Sequence, residues 1–320
     1  MKSVLITGGA GFIGSHLAEF YLKHKYKVIV LDDLSTGSID NVIHLKGDRN
    51  FSLIIDSVLK NKIINELTKK VDIVVHLAAA VGVNYIIDNP LKSLEINIEG
   101  TDNILKSCNK YKKKVMIASS SEVYGKNEKV PFSEKDSSVI GPITISRWSY
   151  ACSKAIDEFF ALAYYREKNL PVVIMRFFNT CGPRQTGRYG MVIPRFVKQA
   201  LTNKPITIYG DGKQTRCFSH IYDVVKYVYS LSIDDRANGE IFNIGSTERI
   251  KIVDLAKLVV KRANSKSRIT FVPYEDAFEK GFEDMRHRVP DISKIVKLTG
   301  FKHEKRLTDI IDDVIEYYRR

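Results

Sequence analysis

Short apolar runs, each stopped by glycine or polar residues, recur along the first half of the chain. Ser3–Thr7, Val28–Leu31, Leu53–Asp56, Ile73–Leu77, Val115–Ala118 and Val172–Arg176 have this character, which predicts buried strands. Between them, Phe12–Lys23, Ser93–Tyr111 and a segment from Arg147 to about Lys168 repeat apolar residues at helical spacing. Regular alternation of strand and helix predicts an α/β fold built on a doubly wound parallel sheet.

After Phe177-Phe178-Asn179 the texture changes. Gly182, Pro183, Gly187 and Gly190 mark loops. Val192–Asn203 reads as a helix, Ile206–Tyr209 as a strand and Asp223–Ser232 as a helix. Glu240–Gly245 reads as a strand and Thr308–Arg319 as a final helix. This predicts a main domain over residues 1–176 and a smaller mixed α/β substrate-binding region over 177–320, with segments returning to the main sheet.

The chain has 320 residues, 44% of them hydrophobic, enough for a substantial core. Its formal charge is +13, but the lysines are spread throughout, and the longest basic run is only Lys112-Lys113-Lys114. That distribution predicts a solvated basic surface rather than a nucleic-acid face. Cys108, Cys152, Cys181 and Cys217 form no C-x-x-C pair, so reduced thiols are expected, with no metal site, in a cytoplasmic protein. The N-terminal run is broken early by Gly8, Gly9 and Gly11, and no apolar run reaches the roughly 18 residues of a membrane span. Neither a signal peptide nor membrane insertion is expected.

The first strand leads into Gly8-Gly9-Ala10-Gly11-Phe12-Ile13-Gly14 and then a helix, and the second strand ends in Asp32. A strand, a glycine turn, a helix and an acid at the next strand end form the context of a dinucleotide fingerprint, which makes the sheet Rossmann-type. Gly8 permits the turn, Gly11 admits a pyrophosphate to the backbone and helix N-terminus, and Gly14 brings helix and strand together. Asp32 accepts from ribose hydroxyls and repels a 2′-phosphate, so NAD is expected over NADP. Asp56, at the end of the third strand, is a candidate for the adenine amino group, with a solvated loop carboxylate as the alternative. Leu77, Ala78 and Ala79 follow the fourth strand and offer backbone to the cofactor, together with Phe12 and Ile13 of the glycine turn. His76 is expected to pack at the strand end.

Tyr150 and Lys154 stand four apart, on one face of a helix. A phenol is a weak base at neutral pH, and a neighbouring ammonium favours its phenolate. The pair is therefore a candidate for proton transfer, with Lys154 expected to lower the Tyr150 pKa. Ser119-Ser120-Ser121-Glu122-Val123-Tyr124-Gly125 leaves the carboxyl end of the fifth strand, where such sheets bind ligands.

These elements resemble the extended short-chain dehydrogenase/reductases that act on nucleotide sugars. The resemblance rests on Thr7-Gly8-x-x-Gly11-x-x-Gly14, Ser119-Ser120 before Tyr124-Gly125, Tyr150-x-x-x-Lys154, and Arg176-Phe177-Phe178-Asn179 with Gly182-Pro183-Arg184. Tyr209-Gly210-Asp211-Gly212 with Thr215-Arg216, and Arg288-Val289-Pro290-Asp291, extend it over nearly the whole chain. It implies that Tyr150 removes the sugar 4-hydroxyl proton, that Ser120 bonds the same hydroxyl, and that Lys154 holds the nicotinamide ribose. A hydride then passes from C4 to NAD, leaving a transient 4-keto sugar. By the same resemblance, Ser121, Asn179, Arg184, Val192, Tyr209, Arg216 and Arg288 engage the nucleotide sugar.

Ser121-Glu122 bears on the reaction. dTDP-glucose 4,6-dehydratases usually have Asp-Glu here, GDP-mannose dehydratases have Ser-Glu as in this chain, and simple UDP-galactose epimerases usually lack the acid. UDP-glucuronate decarboxylases of the xylose and aminoarabinose types share Ser-Glu-Val-Tyr-Gly. The aminoarabinose type further shares Gly141-Pro142 to Arg147-Trp148, Gly212-Lys213-Gln214 with Arg216-Cys217-Phe218, and Gly281-Phe282-Glu283-Asp284 to His287-Arg288. UDP-glucuronate decarboxylation is therefore the expected activity, with Glu122 and Arg288 positioning the carboxylate and reprotonating C5. The alternatives are a UDP-sugar 4-epimerase, a 4,6-dehydratase and, in a different class, a non-catalytic NAD-binding regulator. The resemblance also implies a homodimer formed through the helices near 93–111 and 150–168.

Overall fold

A computed structural model describes residues 1–187, 191–277 and 285–320. Gly190 and the stretch Gly281-Phe282-Glu283-Asp284 lie outside the described residues.

Six strands alternate with helices in the first part of the chain: β1 (Ser3–Thr7), β2 (Lys27–Asp32), β3 (Phe51–Ile55), β4 (Ile73–His76), β5 (Lys114–Ser120) and β6 (Val172–Phe177). With the strand Glu240–Ile244 at the edge they form one parallel sheet. Its order is Glu240–Ile244, β6, β5, β4, β1, β2, β3. The order reverses between β1 and β4, so the crevice beyond their carboxyl ends is the switch point at which such sheets take ligands. Strands covered on both faces are continuously apolar, which is why the runs were readable.

One face of the sheet is covered by α1 (Phe12–Lys23) and the helix Ile221–Ile233, around Leu17, Tyr21, Val224 and Val228. The other is covered by Asn61–Lys69, Gly100–Tyr111 and Arg147–Lys168, around Ile64, Leu67, Ile104, Leu105 and Ala161. A separate core joins the helices Val192–Leu201, Ile252–Ala263 and Leu307–Arg319 to the strand Ile206–Tyr209. Residues after 177 thus divide between the sheet and this second core.

Three features differ from the sequence reading. The helix expected over Ser93–Tyr111 is built from an α segment, Pro90–Leu94, a π segment, Glu95–Glu99, and an α segment, Gly100–Tyr111. The wide turn seats buried Asn97, whose Oδ1 accepts from Ala80 N at 2.8 Å and whose Nδ2 donates to Ser153 Oγ at 3.1 Å. β5 runs two residues past Ala118, because Ser119 and Ser120 still pair with Arg176 and Phe177. The helices Asn61–Lys69 and Ile252–Ala263 are absent from the sequence reading, although Ile63, Ile64 and Leu67, and Ile252, Leu255, Ala256 and Val259, recur at helical spacing.

Candidate active site

The glycine turn closes against β4 for steric reasons. A Cβ at Gly8, whose φ is +69°, would lie 2.7 Å from Ala78 N. One at Gly14 would lie 2.3 Å from Gly8 O, so the first turn of α1 rests directly on the loop. Gly11 differs: a Cβ there meets only Gly8 O, at 3.1 Å, with open space otherwise. It caps α1 without a side-chain hydrogen bond, and it lines a cavity of ≈ 830 Å³ at the carboxyl ends of the strands. Backbone N–H groups at a helix start, with no side chain in front of them, suit a pyrophosphate.

Asp32 is buried at the end of β2. Its carboxylate accepts from Ala10 N at 2.8 Å and Leu34 N at 2.9 Å. Burial raises its pKa, and these donors oppose the rise. Two oxygens keep lone pairs beyond these two bonds, as a ribose diol requires. Asp56 lines the same cavity but is paired with Lys60 at 2.8 Å, which holds its carboxyl below the usual range. Phe12, Ile13, Leu77, Ala78 and Ala79 complete this wall. Their arrangement fits a dinucleotide. His76 packs as expected: Nδ1 lies 2.7 Å from Thr7 Oγ1 and Nε2 3.2 Å from Thr101 Oγ1, and burial lowers its pKa to about 3.

The opposite wall brings together the residues expected to act on the sugar. Tyr150 and Lys154 reach the cavity from the Arg147–Lys168 helix, and Ser120, Ser121 and Glu122 from the end of β5. Ser120 hydrogen-bonds the Tyr150 phenol. Lys154 pulls this phenol down as expected, but does not bring it below its ordinary pKa. Desolvation dominates and raises the value, while Lys154 and Ser120 pull it down and Glu122 pushes it up. Part of the reason is that Asp157 offsets the Lys154 charge: Nζ lies 3.0 Å from Asp157 Oδ2, with both side chains buried.

Glu122 faces two arginines. Arg147 Nη2 lies 3.1 Å from Oε2, and Arg288 Nη2 lies 2.5 Å from Oε1. Arg216 is buried and lines the cavity, with Nη1 donating to Thr215 O at 2.9 Å, so it is not a surface ion-pair residue. Asn179 donates to Cys217 O at 2.9 Å, and Tyr209 lies under the Arg195 guanidinium, 4.3 Å from its ring centroid. Arg184 is tied to α1 through Glu19 and, at 3.3 Å, Ser15 Oγ. These residues and Val192 all line the one cavity.

Sequence reasoning missed Arg147 and Asp157 as site residues. Both carried a signal. A cation in the first turn of a helix opposes the helix dipole, so Arg147 required an acid nearby. Asp157 stands three residues after Lys154 in a largely apolar helix, the spacing of a facing pair.

The family model described as GDP-mannose 4,6 dehydratase matches residues 5–314. The chain belongs to this family. It is an NAD-dependent nucleotide-sugar-modifying enzyme of the extended short-chain dehydrogenase/reductase type, which sets aside a binding-only regulator. It is 40% identical to a UDP-N-acetyl-alpha-D-glucosaminuronate decarboxylase of Bacillus cytotoxicus, over 99% of this chain and 98% of that one. It is 33% identical to UDP-glucuronic acid decarboxylase 1 of Xenopus tropicalis, over 100% of this chain and 72% of that one. A UDP-glucuronic acid 4-epimerase of Bacillus cereus, solved with UDP-glucuronic acid and NAD, superimposes with a TM-score of 0.87. The two chains are 30% identical, with 99% of each covered. Among the described residues, no helix is long and apolar enough to cross a membrane.

Proposed function

We propose that the chain decarboxylates a UDP-linked hexuronate, UDP-glucuronate or its 2-acetamido counterpart. The observation that carries this reading is the Glu122 carboxylate held by Arg147 and Arg288 in the same cavity as Tyr150. Arginines around a displaceable carboxylate are suited to a uronate. The names of the Bacillus cytotoxicus and Xenopus relatives support the same reaction.

In this mechanism Tyr150 takes the proton of the sugar 4-hydroxyl, with Ser120 bonding the same oxygen. Lys154 holds the nicotinamide ribose and favours the phenolate. NAD, when bound, supplies the hydride acceptor for C4 and the donor that restores it. The resulting 4-keto uronate is a β-keto acid. Its C5–C6 bond breaks, CO₂ leaves, and the electron pair passes to the C4 carbonyl as an enolate. Arg288 and Glu122 position the carboxylate beforehand, and afterwards Glu122 relays to C5 a proton taken up from solvent. Asp32 and the glycine turn hold the cofactor, while Ser121, Asn179, Arg184, Val192, Tyr209 and Arg216 hold the nucleotide sugar.

A 4-epimerase would share the oxidation and the uronate contacts, so product identity separates the two. Incubation with each UDP-hexuronate and NAD is expected to release CO₂ and form a UDP-pentose by mass spectrometry. A hexuronate epimer without CO₂ would reject decarboxylation in favour of 4-epimerisation. Loss of water instead of CO₂, tested with dTDP- and GDP-hexoses, would favour the dehydratase.

The enzyme is further proposed to be a homodimer. Ile156, Phe159 and Phe160 of the Arg147–Lys168 helix are exposed, Phe159 by 75%, with Leu91 also exposed at 70%. Such a face suits a second copy of the same helices. Sedimentation at the monomer mass would reject it. Its four free thiols suit the cytoplasm.

A further inference from the structure

Tyr150, Lys154 and Asp157 stand at i, i+4 and i+7 of one helix and so form a single stripe. Lys154 Nζ and Asp157 Oδ2 are 3.0 Å apart, and their side chains are 2% and 0% exposed. The other acids around the pair are committed elsewhere. Glu158, on the same helix, takes Arg176 Nε at 2.9 Å and Nη2 at 2.7 Å. Glu122, at the end of β5, takes Arg147 and Arg288. From the Gly100–Tyr111 helix comes Thr101, a neutral hydroxyl adjoining Asp157. From β4 comes His76, bonded to two threonine hydroxyls and kept neutral by burial.

We propose that Asp157 is the positioning residue of Lys154, holding its ammonium charged and fixed within reach of Tyr150. The inference rests on the reading of Tyr150 and Lys154 as the proton-transfer pair. The physical reason is the cost of a buried, unpaired ammonium. Without a partner such a group gives up its proton rather than remain charged. A neutral Lys154 no longer favours the phenolate. Asp157 thus acts on the base through the lysine, touching neither sugar nor cofactor. The same carboxylate offsets part of the lysine charge, in keeping with a Tyr150 pKa above its ordinary value.

The test is Asp157→Asn in the NAD-loaded full chain. Tyrosinate formation by Tyr150 is read as the ultraviolet titration of each protein minus that of its Tyr150→Phe partner. We expect the Tyr150 transition of Asp157→Asn to move up by about one pH unit or more. The alkaline limb of kcat/KM is expected to move down by a similar amount as Lys154 loses its proton earlier. A transition that stays in place, or moves down, overturns the proposal. A downward move would mean that Asp157 only dilutes a lysine charge that survives without it. Asp157→Glu keeps the charge while displacing it, so it should lower kcat by about tenfold with both limbs unmoved. If Asp157→Asn does not fold, moved limbs in Asp157→Glu overturn the proposal instead. Full turnover by Tyr150→Phe would refute the proton-transfer pair itself. An inactive Tyr150→Phe with unmoved limbs in Asp157→Asn refutes this inference alone.

Discussion

The carboxylate of Glu122 lies 2.5 Å from the guanidinium of Arg288, a residue brought in by a two-residue strand, His287–Arg288. They are far apart in sequence, and meet because that strand pairs with Thr215–Cys217 beside the mouth of the sheet. With Arg147 on its other oxygen, Glu122 stands where the proposal puts the carbon that loses CO₂. Replacing Glu122 by Gln is expected to lower CO₂ release by on the order of 10²–10⁴, the range of a general acid or base. Oxidation at C4 should survive, and stopped-flow absorbance of the reduced cofactor would follow it. Equal loss of both steps would remove Glu122 from the decarboxylation step.

Tyr150→Phe should bind NAD with unchanged affinity by calorimetry, while turnover falls by on the order of 10²–10⁴. Near-normal turnover would exclude Tyr150 as the base.

The pH dependence has a definite sign. In the proposed mechanism Tyr150 loses its proton to act, and burial raises its pKa above the ordinary value. Oxidation at C4 should therefore increase as pH rises through neutrality toward the alkaline side. Glu122 also pushes the phenol up, so Glu122→Gln should move this acid limb to lower pH. Initial rates of cofactor reduction across pH would check both, and a limb moving to higher pH would contradict the electrostatics.

His76 gives a stability prediction. Its folded-state pKa is about 3, below the ordinary 6.5 expected when unfolded. Between these values the unfolded chain binds a proton that the native protein does not. Stability should fall as pH drops from the higher value toward the lower, by about 2 kcal/mol at roughly pH 5 from this group. Urea titrations of wild type and His76→Gln should differ in slope across that window, with the variant flatter. Parallel curves would mean that His76 is not the group responsible.

Gly14→Ala would put a methyl group 2.3 Å from Gly8 O. Backbone cannot swing aside as a flexible side chain does, so α1 must lift from the loop. A loss of about 1–3 kcal/mol is expected, with weaker NAD binding. Gly11→Ala has only Gly8 O as a neighbour, so it should cost cofactor affinity with less effect on stability. Urea unfolding and calorimetry on both variants would check this, and equal destabilisation would contradict it.

Much of the fold was legible because buried parallel strands must be continuously apolar, and because glycine has no substitute where backbones touch. Gly8, Gly14, Asp32, and the Tyr150–Lys154 spacing are all local, and each lay within one strand–turn–helix or one helical turn. Asn61–Lys69 carried an equally local mark in Ile63, Ile64 and Leu67, but over only nine residues it offers little more than two turns to read. The π turn at Asn97 was hidden, because it depends on a hydrogen bond to Ala80 across the fold. What the sequence determined by itself was therefore the glycine turn with Asp32, and the spacing that sets Tyr150 and Lys154 on one face of a helix. The tertiary structure alone decided the electrostatics. Burial raises Tyr150, Asp157 occupies Lys154, and Arg147 and Arg288 share Glu122. Charge energies depend on distance and desolvation, and neither exists until the chain has folded.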